Sequence, residues 1–155
     1  MSLKGKTIAV TGAFGSLGAA VVKALLENGA TVAAIDLADA PRDAKALGAA
    51  HLHGGIDLAD AAATQAAFDT IAKAHGGLHG LVNIAGGFAW EKVQGGAIDT
   101  WDRMYQMNVR TAVAASQAAM PSAGPARHRL IGCDMLTWLN TACPASSICA
   151  ATRLH

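Results

Sequence analysis

The sequence lacks any run of eighteen apolar residues, although 52% of its 155 residues are apolar, so a membrane-spanning helix is not indicated. The opening Met1-Ser2-Leu3-Lys4-Gly5-Lys6 has neither the long apolar segment nor the small-residue cleavage site of a secretory leader, and the expected compartment is the cytoplasm. Charge of either sign is scarce: a net +1 with no basic run argues against nucleic acid as the main partner. Three cysteines, an odd number with no Cys-x-x-Cys spacing, suggest neither a disulfide framework nor a zinc site. Tyrosine occurs once, at Tyr105, and no lysine follows Lys92.

What is present begins at Thr7. The stretch Thr7-Ile8-Ala9-Val10-Thr11 reads as a short buried strand, followed by Gly12, Gly15 and Gly18 at three-residue spacing and then an apolar helical run. Each glycine has a distinct physical task in a turn that holds a dinucleotide. Gly12 takes backbone angles that a β-carbon would forbid, Gly15 leaves room for a pyrophosphate, and Gly18 lets the helix lie close on the sheet. The free N–H groups of the helix's first turn then face the phosphates. The alternative, a glycine-rich loop that binds nothing, is weakened by the strand before the glycines and the helix after them.

The rest of the chain repeats the alternation of strand and helix. Ala19 to Asn28 reads as a helix with Val21, Val22, Leu25 and Leu26 on its apolar face, stopped by Gly29. Thr31 to Ile35 is a second buried strand ending in Asp36, 18 residues after Gly18. A carboxylate there can accept both ribose hydroxyls of an adenosine. It would repel a 2′-phosphate, and no arginine follows immediately to offset it, so NAD is favoured over NADP. A loop and short helix are expected over 38–48, with Pro41 suited to the helix start. His51 to Leu58 gives a third strand and its exit. Asp60 to Ala74 is helical with Ala63, Ala67, Phe68 and Ile71 toward the core, and Leu78 to Gly87 gives a fourth strand with a glycine-rich exit. A further helix begins at Asp99 or Thr100 as cap, carries Trp101, Met104 and Met107 toward the core, and runs to Met120 before Pro121. This order predicts an α/β Rossmann-type, doubly wound parallel sheet, with ligands beyond the carboxyl ends of its strands.

The motifs Thr11-Gly12-x-x-Gly15-x-x-Gly18, Asp36, Asp57-Leu58, Asn83-Ile84-Ala85-Gly86 and Asn108 resemble those of the short-chain dehydrogenase/reductase family, over residues 3 to 121. The resemblance implies a nicotinamide-dependent oxidoreductase that interconverts small alcohols and carbonyl compounds by hydride transfer. It implies cofactor contacts at Gly12, Phe14, Gly15, Ser16, Leu17, Gly18, Asp36, Asp57, Leu58, Asn83, Ala85 and Gly86. Asp57 would meet the adenine, Leu58 would wall its pocket, and the segment Asn83 to Gly86 would line the cleft. Asn108 is the one catalytic position carried over, as the asparagine that distorts a helix and supports a proton-relay water. Two departures stand out. Ser16 occupies a position usually held by glycine, and its hydroxyl can itself bond a phosphate oxygen. The family's Tyr-x-x-x-Lys acid/base segment is absent from the sequence, so binding without turnover is expected, with a catalytically silent nucleotide-binding or regulatory module as the alternative.

Pro121 marks a change. Residues 122–155 hold Cys133, Cys143 and Cys149, a single acid at Asp134 and no lysine. We read a dinucleotide-binding domain over 1–121 and an atypical tail over 122–155, the sheet being truncated after its fourth strand and the following helix. Leu130-Ile131 and Met135 to Leu139 carry no clear period, and brief strands or a helix stay open there. A slip of the reading frame near Pro121 fits the abrupt shift better than a natural short variant. Uncovered apolar faces on the fourth strand and the last helix would favour self-association. No metal is expected: His51 and His53 share a strand face, and His75 and His79 are four apart, but the Gly76-Gly77 break and the want of a third ligand leave them surface histidines. Cys143, Cys149, Ser146 and Ser147 have no neighbour that would make them nucleophiles.

Overall fold

The computed structural model describes residues 3–41, 47–48, 50–121, 129–132 and 151–153, with side-chain burial described as far as 121. Strand β1 (Thr7–Thr11) leads into helix α1 (Ser16–Glu27), then β2 (Thr31–Ile35), β3 (His51–His53), α2 (Ala61–His75) and β4 (Gly80–Asn83). Helix α3 (Ile98–Tyr105) passes through a π turn, Gln106–Arg110, into α4 (Thr111–Ala119), and the short strands β5 (Arg129–Gly132) and β6 (Ala151–Arg153) follow. The sheet order is β3-β2-β1-β4-β5-β6. The first five strands in that order are parallel, and β6 lies antiparallel to β5. The expected doubly wound parallel sheet is present.

Alternation along the strands feeds two cores, one on each face of the sheet. Ala9, Ala33, Ile35 and Leu81 point to the face covered by Phe68 and Ile71 of α2 and by Ala115, Ala118 and Ala119 of α4. Val10, Val32, Ala34 and Val82 point to the other, where Val22 of α1 joins them with Val21, Leu25 and Leu26 partly buried beside it. Strands buried on both faces are what parallel crossovers require. Phe68 and Ile71 are fully buried, and each such side chain stabilises the fold by about 1.5–3 kcal/mol.

Local chemistry sets the helix ends. The Asp60 carboxylate caps α2, accepting from Ala62 N at 2.9 Å and Ala63 N at 3.1 Å. Gly76 ends that helix in the left-handed region at φ 71°, with Lys73 and His75 in its last turn. The face of α2 differs from expectation at one position: Ala63 is exposed and Thr64 is buried in its place. The hydroxyl of Thr64 makes that burial affordable by donating to Asp60 O at 2.7 Å. At α3 the cap also differs. Neither Asp99 nor Thr100 caps it; Ala97 is the flanking residue. Hydrogen bonds from Lys92, Thr100 and Ala97 hold the Glu91 carboxyl below its ordinary range, so Glu91, eight residues before Asp99, adds a second anion at a helix start whose first turn already carries Asp99.

Trp101 is 47% exposed and α3 has no buried residue, against the expected core role. Met104 and Met107 are half-buried. Beyond Pro121, β5 pairs with β4 from Gly80↔Arg129 to Asn83↔Gly132, so the sheet continues past its fourth strand, and Leu130 and Ile131 lie in it. Of the two possibilities left open at Leu130-Ile131, a brief strand or a helix, the strand is the one present. The helix expected after Pro41, the three cysteines, Ser146 and Ser147 lie outside the described residues.

Candidate functional site

The carboxyl ends of β1, β2 and β4 open into a cleft of about 800 Å³. Its floor is the turn from β1 into α1. Gly12 sits at φ 64°, and a β-carbon there would lie 2.7 Å from Ala85 N on the β4 exit. A β-carbon on Gly18 would strike the backbone of Gly12 and Ala13. Gly15 differs from both: its φ is −75° and the nearest atom a β-carbon would meet is Gly12 O at 3.6 Å. Gly12 and Gly18 therefore permit close backbone packing, while Gly15 keeps open space at the helix start. The amides of the first turn of α1, Ser16 to Gly18, have no acceptor within the helix and are the donors an anion would meet.

Asp36 closes the far side. Its carboxylate accepts from Phe14 N at 2.8 Å and from Ala38 N at 3.0 Å. Two main-chain donors fix the carboxylate against the glycine turn, and lone pairs remain on both oxygens. Asp57 is fixed similarly, one oxygen accepting from Ala59 N at 2.8 Å. Leu58 beside it is buried, in the core and in the cleft wall at once.

The exit of β4 is held by side chains that reach across the fold. Thr11 Oγ1 accepts from Ile84 N at 3.1 Å and Ala85 N at 3.2 Å, and it donates to Asn83 Oδ1 at 3.5 Å. Asn83 Nδ2 in turn donates to Ser116 Oγ at 3.2 Å. Asn108, buried in the π turn, makes three hydrogen bonds. Its Oδ1 accepts from Gly87 N at 3.1 Å, and its Nδ2 donates to Gly87 O and Met104 O, both at 2.9 Å. A wider turn leaves Met104 O available to this side chain, and the helix distortion that the resemblance implied is present.

Gly12, Phe14, Gly15, Ser16, Leu17, Gly18, Asp36, Asp57, Leu58, Ala85 and Gly86 all line the cleft. Asn83 and Asn108 do not; both are buried behind it and set the position of the loop that does. The structure adds Leu37, Ile56, Ala59, Arg103, Gln106, Met107 and Thr111 to the wall. The last four come from α3, the π turn and α4, and no spacing relates them to the glycine turn. Among the described residues no group of three or more histidine, cysteine, aspartate or glutamate side chains is placed to hold a metal ion. His51 and His75 stack edge to face at 4.3 Å between ring centroids. His79 Nδ1 accepts from Thr7 N at 3.1 Å, which engages it in the sheet.

The chain is similar to known proteins in sequence and in fold. The chain is 38% identical over 123 residues to 2-(S)-hydroxypropyl-CoM dehydrogenase 3 of Xanthobacter autotrophicus, covering 76% of this chain and 48% of that protein. It is 38% identical over 102 residues to the inactive 2-(S)-hydroxypropyl-CoM dehydrogenase 2 of the same organism, covering 64% of this chain and 44% of that one. A solved short chain dehydrogenase of Burkholderia cenocepacia, in complex with NADP, superposes with a TM-score of 0.70 at 32% identity, covering 85% of this chain and 56% of that chain. The chain thus spans about half the length of the curated relatives it matches. No helix among the described residues is long and apolar enough to cross a membrane. The short chain dehydrogenase profile matches residues 6–128, and with the glycine turn, the pinned acid and the asparagine in its π turn, the chain belongs to the short-chain dehydrogenase family.

Proposed function

We propose that residues 1–121 form a dinucleotide-binding unit that takes NAD(H) in preference to NADP(H), and that these 155 residues bind it without completing hydride transfer between an alcohol and a carbonyl compound. The observation that carries the binding half is the pinned carboxylate of Asp36, held by Phe14 N and Ala38 N at the rim of the cleft. The cleft fits the group: Gly15 leaves space, the first-turn amides of α1 offer donors to a diphosphate, and Asp36 offers acceptors to ribose hydroxyls. A 2′-phosphate would bring its charge against that carboxylate. The NADP-bound Burkholderia relative makes cofactor choice the point to measure rather than assume.

When bound, the nicotinamide ring supplies a carbon that gives or takes hydride. The chain's own residues position it. Thr11 and Asn108 fix the β4 exit, and Gly86 admits close approach there, since a β-carbon on it would lie 2.5 Å from Asn108 Oδ1. The missing half is the proton. Alcohol oxidation needs a base for the hydroxyl proton. The only tyrosine, Tyr105, is followed four residues later by Val109 rather than lysine. It is also 59% exposed, and it is not part of the cleft wall. The role proposed for these residues is therefore binding of the dinucleotide, with no tyrosine–lysine acid/base pair among them to handle the proton.

Titrating the chain with NADH and NADPH by nicotinamide fluorescence tests binding and preference together. Asp36→Asn is expected to lower NADH affinity by about tenfold and to narrow the gap to NADPH, because one charge-assisted pair of hydrogen bonds is weakened and one repulsion removed. Equal affinity of the unaltered chain for both cofactors would defeat the preference, and saturation with no fluorescence change or thermal shift would defeat binding. Turnover of any member of an alcohol and ketone panel would defeat the silent reading.

A further inference from the structure

One turn of the helix reaches two walls of the cleft. From the π turn Gln106–Arg110, Asn108 grips both polar atoms of the Gly87 backbone, while Arg110 Nε donates to Ala59 O at 2.7 Å. Ala59 is the third residue of Asp57-Leu58-Ala59, all of which line the cleft. Its N–H is already bonded to the Asp57 carboxylate at 2.8 Å. The Ala59 residue is thus held on both sides, at its N–H by a local turn and at its carbonyl by a residue 51 positions later in sequence. Leu58 anchors the segment in the core and Ile56 N donates to Asp36 O at 3.0 Å; the Arg110 bond adds a direct tie from Ala59, at the end of the segment, to the helix that also holds the β4 exit.

Resting on the dinucleotide reading above, we infer that Arg110 is a positioning residue for the adenosine end of the ligand: it sets where the Asp57–Ala59 wall stands relative to the rest of the cleft. The guanidinium acts here as a donor, through Nε, on a neutral carbonyl, so its charge is not what the role requires. That separates two substitutions. Glutamine places its Nε2 the same number of bonds from Cα as the arginine Nε, and methionine places a methyl group there.

The experiment measures AMP and NADH binding to the full chain carrying Arg110→Met or Arg110→Gln, beside ligand-free thermal unfolding. Because Arg110 is exposed, the bond adds little to global stability. Arg110→Met is expected to unfold within about 2 °C of the unaltered chain while binding AMP and NADH about fivefold more weakly. Arg110→Gln is expected to bind within about twofold of the unaltered chain, the donor being kept. Unchanged AMP affinity in Arg110→Met would overturn the inference and leave the dinucleotide reading intact. An Arg110→Gln variant as weak as Arg110→Met would overturn it by showing that charge matters, and a melting temperature falling in step with affinity would reduce Arg110 to a structural brace. An unaltered chain that binds neither AMP nor NADH would sink both readings.

Discussion

On one side of the cleft, Gly12, Gly15 and Gly18 shape the wall by omitting side chains; on the other, Thr11 and Asn108 shape it with side chains that bond to distant backbone. The first wall tolerates no added atom at Gly12 or Gly18, where backbone would be struck. The second tolerates no lost atom, since Gly87 and the β4 exit owe their hydrogen bonds to it. One cleft therefore has two modes of failure, and substitutions can tell them apart.

The largest effect is expected on the glycine side. Gly18→Val should destabilise the chain by about 3 kcal/mol, because the obstacle is the backbone of Gly12 and Ala13 rather than a side chain that can move aside. Denaturant unfolding checks it, and a loss under about 1 kcal/mol would mean that the turn yields and that the contrast between the walls is overstated. On the other wall Asn108→Ala removes three hydrogen bonds and strands their part-buried partners on Gly87 and Met104, for an expected loss of about 2 kcal/mol. If unfolding free energy were unchanged and only amide exchange at Gly87 accelerated, Asn108 would be holding a loop and not the fold.

The smallest effect concerns the edge strand that supports neither wall directly. Burial first, then the neighbouring His75 and His51 imidazoles, lowers the pKa of His53, and burial followed by His51 lowers that of His75. Buried Nε2 of His53 has no hydrogen-bond partner among the described residues. A folded pKa below the unfolded value of 6.5 means that the unfolded chain binds protons first as pH falls. Stability is then full above pH 6.5 and declines as pH drops from there toward the lowered folded value. Thermal midpoints between pH 7.5 and 5.5 should fall modestly, with His53→Leu flattening the slope; a rising midpoint would reverse the assignment.

How legible the two walls were follows from the same contrast. The glycine turn, β2 and Asp36 could be read from spacing because each depends on neighbours within a few dozen residues and on backbone rules that glycine exposes. Asn83 and Asn108 were reachable only through resemblance, since a buried asparagine has no local signature. Arg110 on Ala59, Thr11 on Ala85 and Glu91 at the start of α3 were not legible, because each is a meeting of segments that the sequence does not index to one another. Trp101 misled through its helical spacing with Met104 and Asn108: period marks a face of a helix, but not whether anything covers that face. At Leu130-Ile131 the sequence left strand and helix open, because two adjacent apolar residues carry no period that decides between them; pairing with β4 decides it.

Two exposed indoles have a practical consequence. Trp90 and Trp101, 79% and 47% exposed, flank the segment from the β4 exit to α3, and the buried core among the described residues contains no indole. Native emission from these two residues therefore reports indoles in contact with solvent rather than the packing of the sheet, and Trp138, outside the described residues, is the third source of signal. A quencher in the buffer would reach both in the native protein, so a fall in emission would mark collisions at the surface before any unfolding.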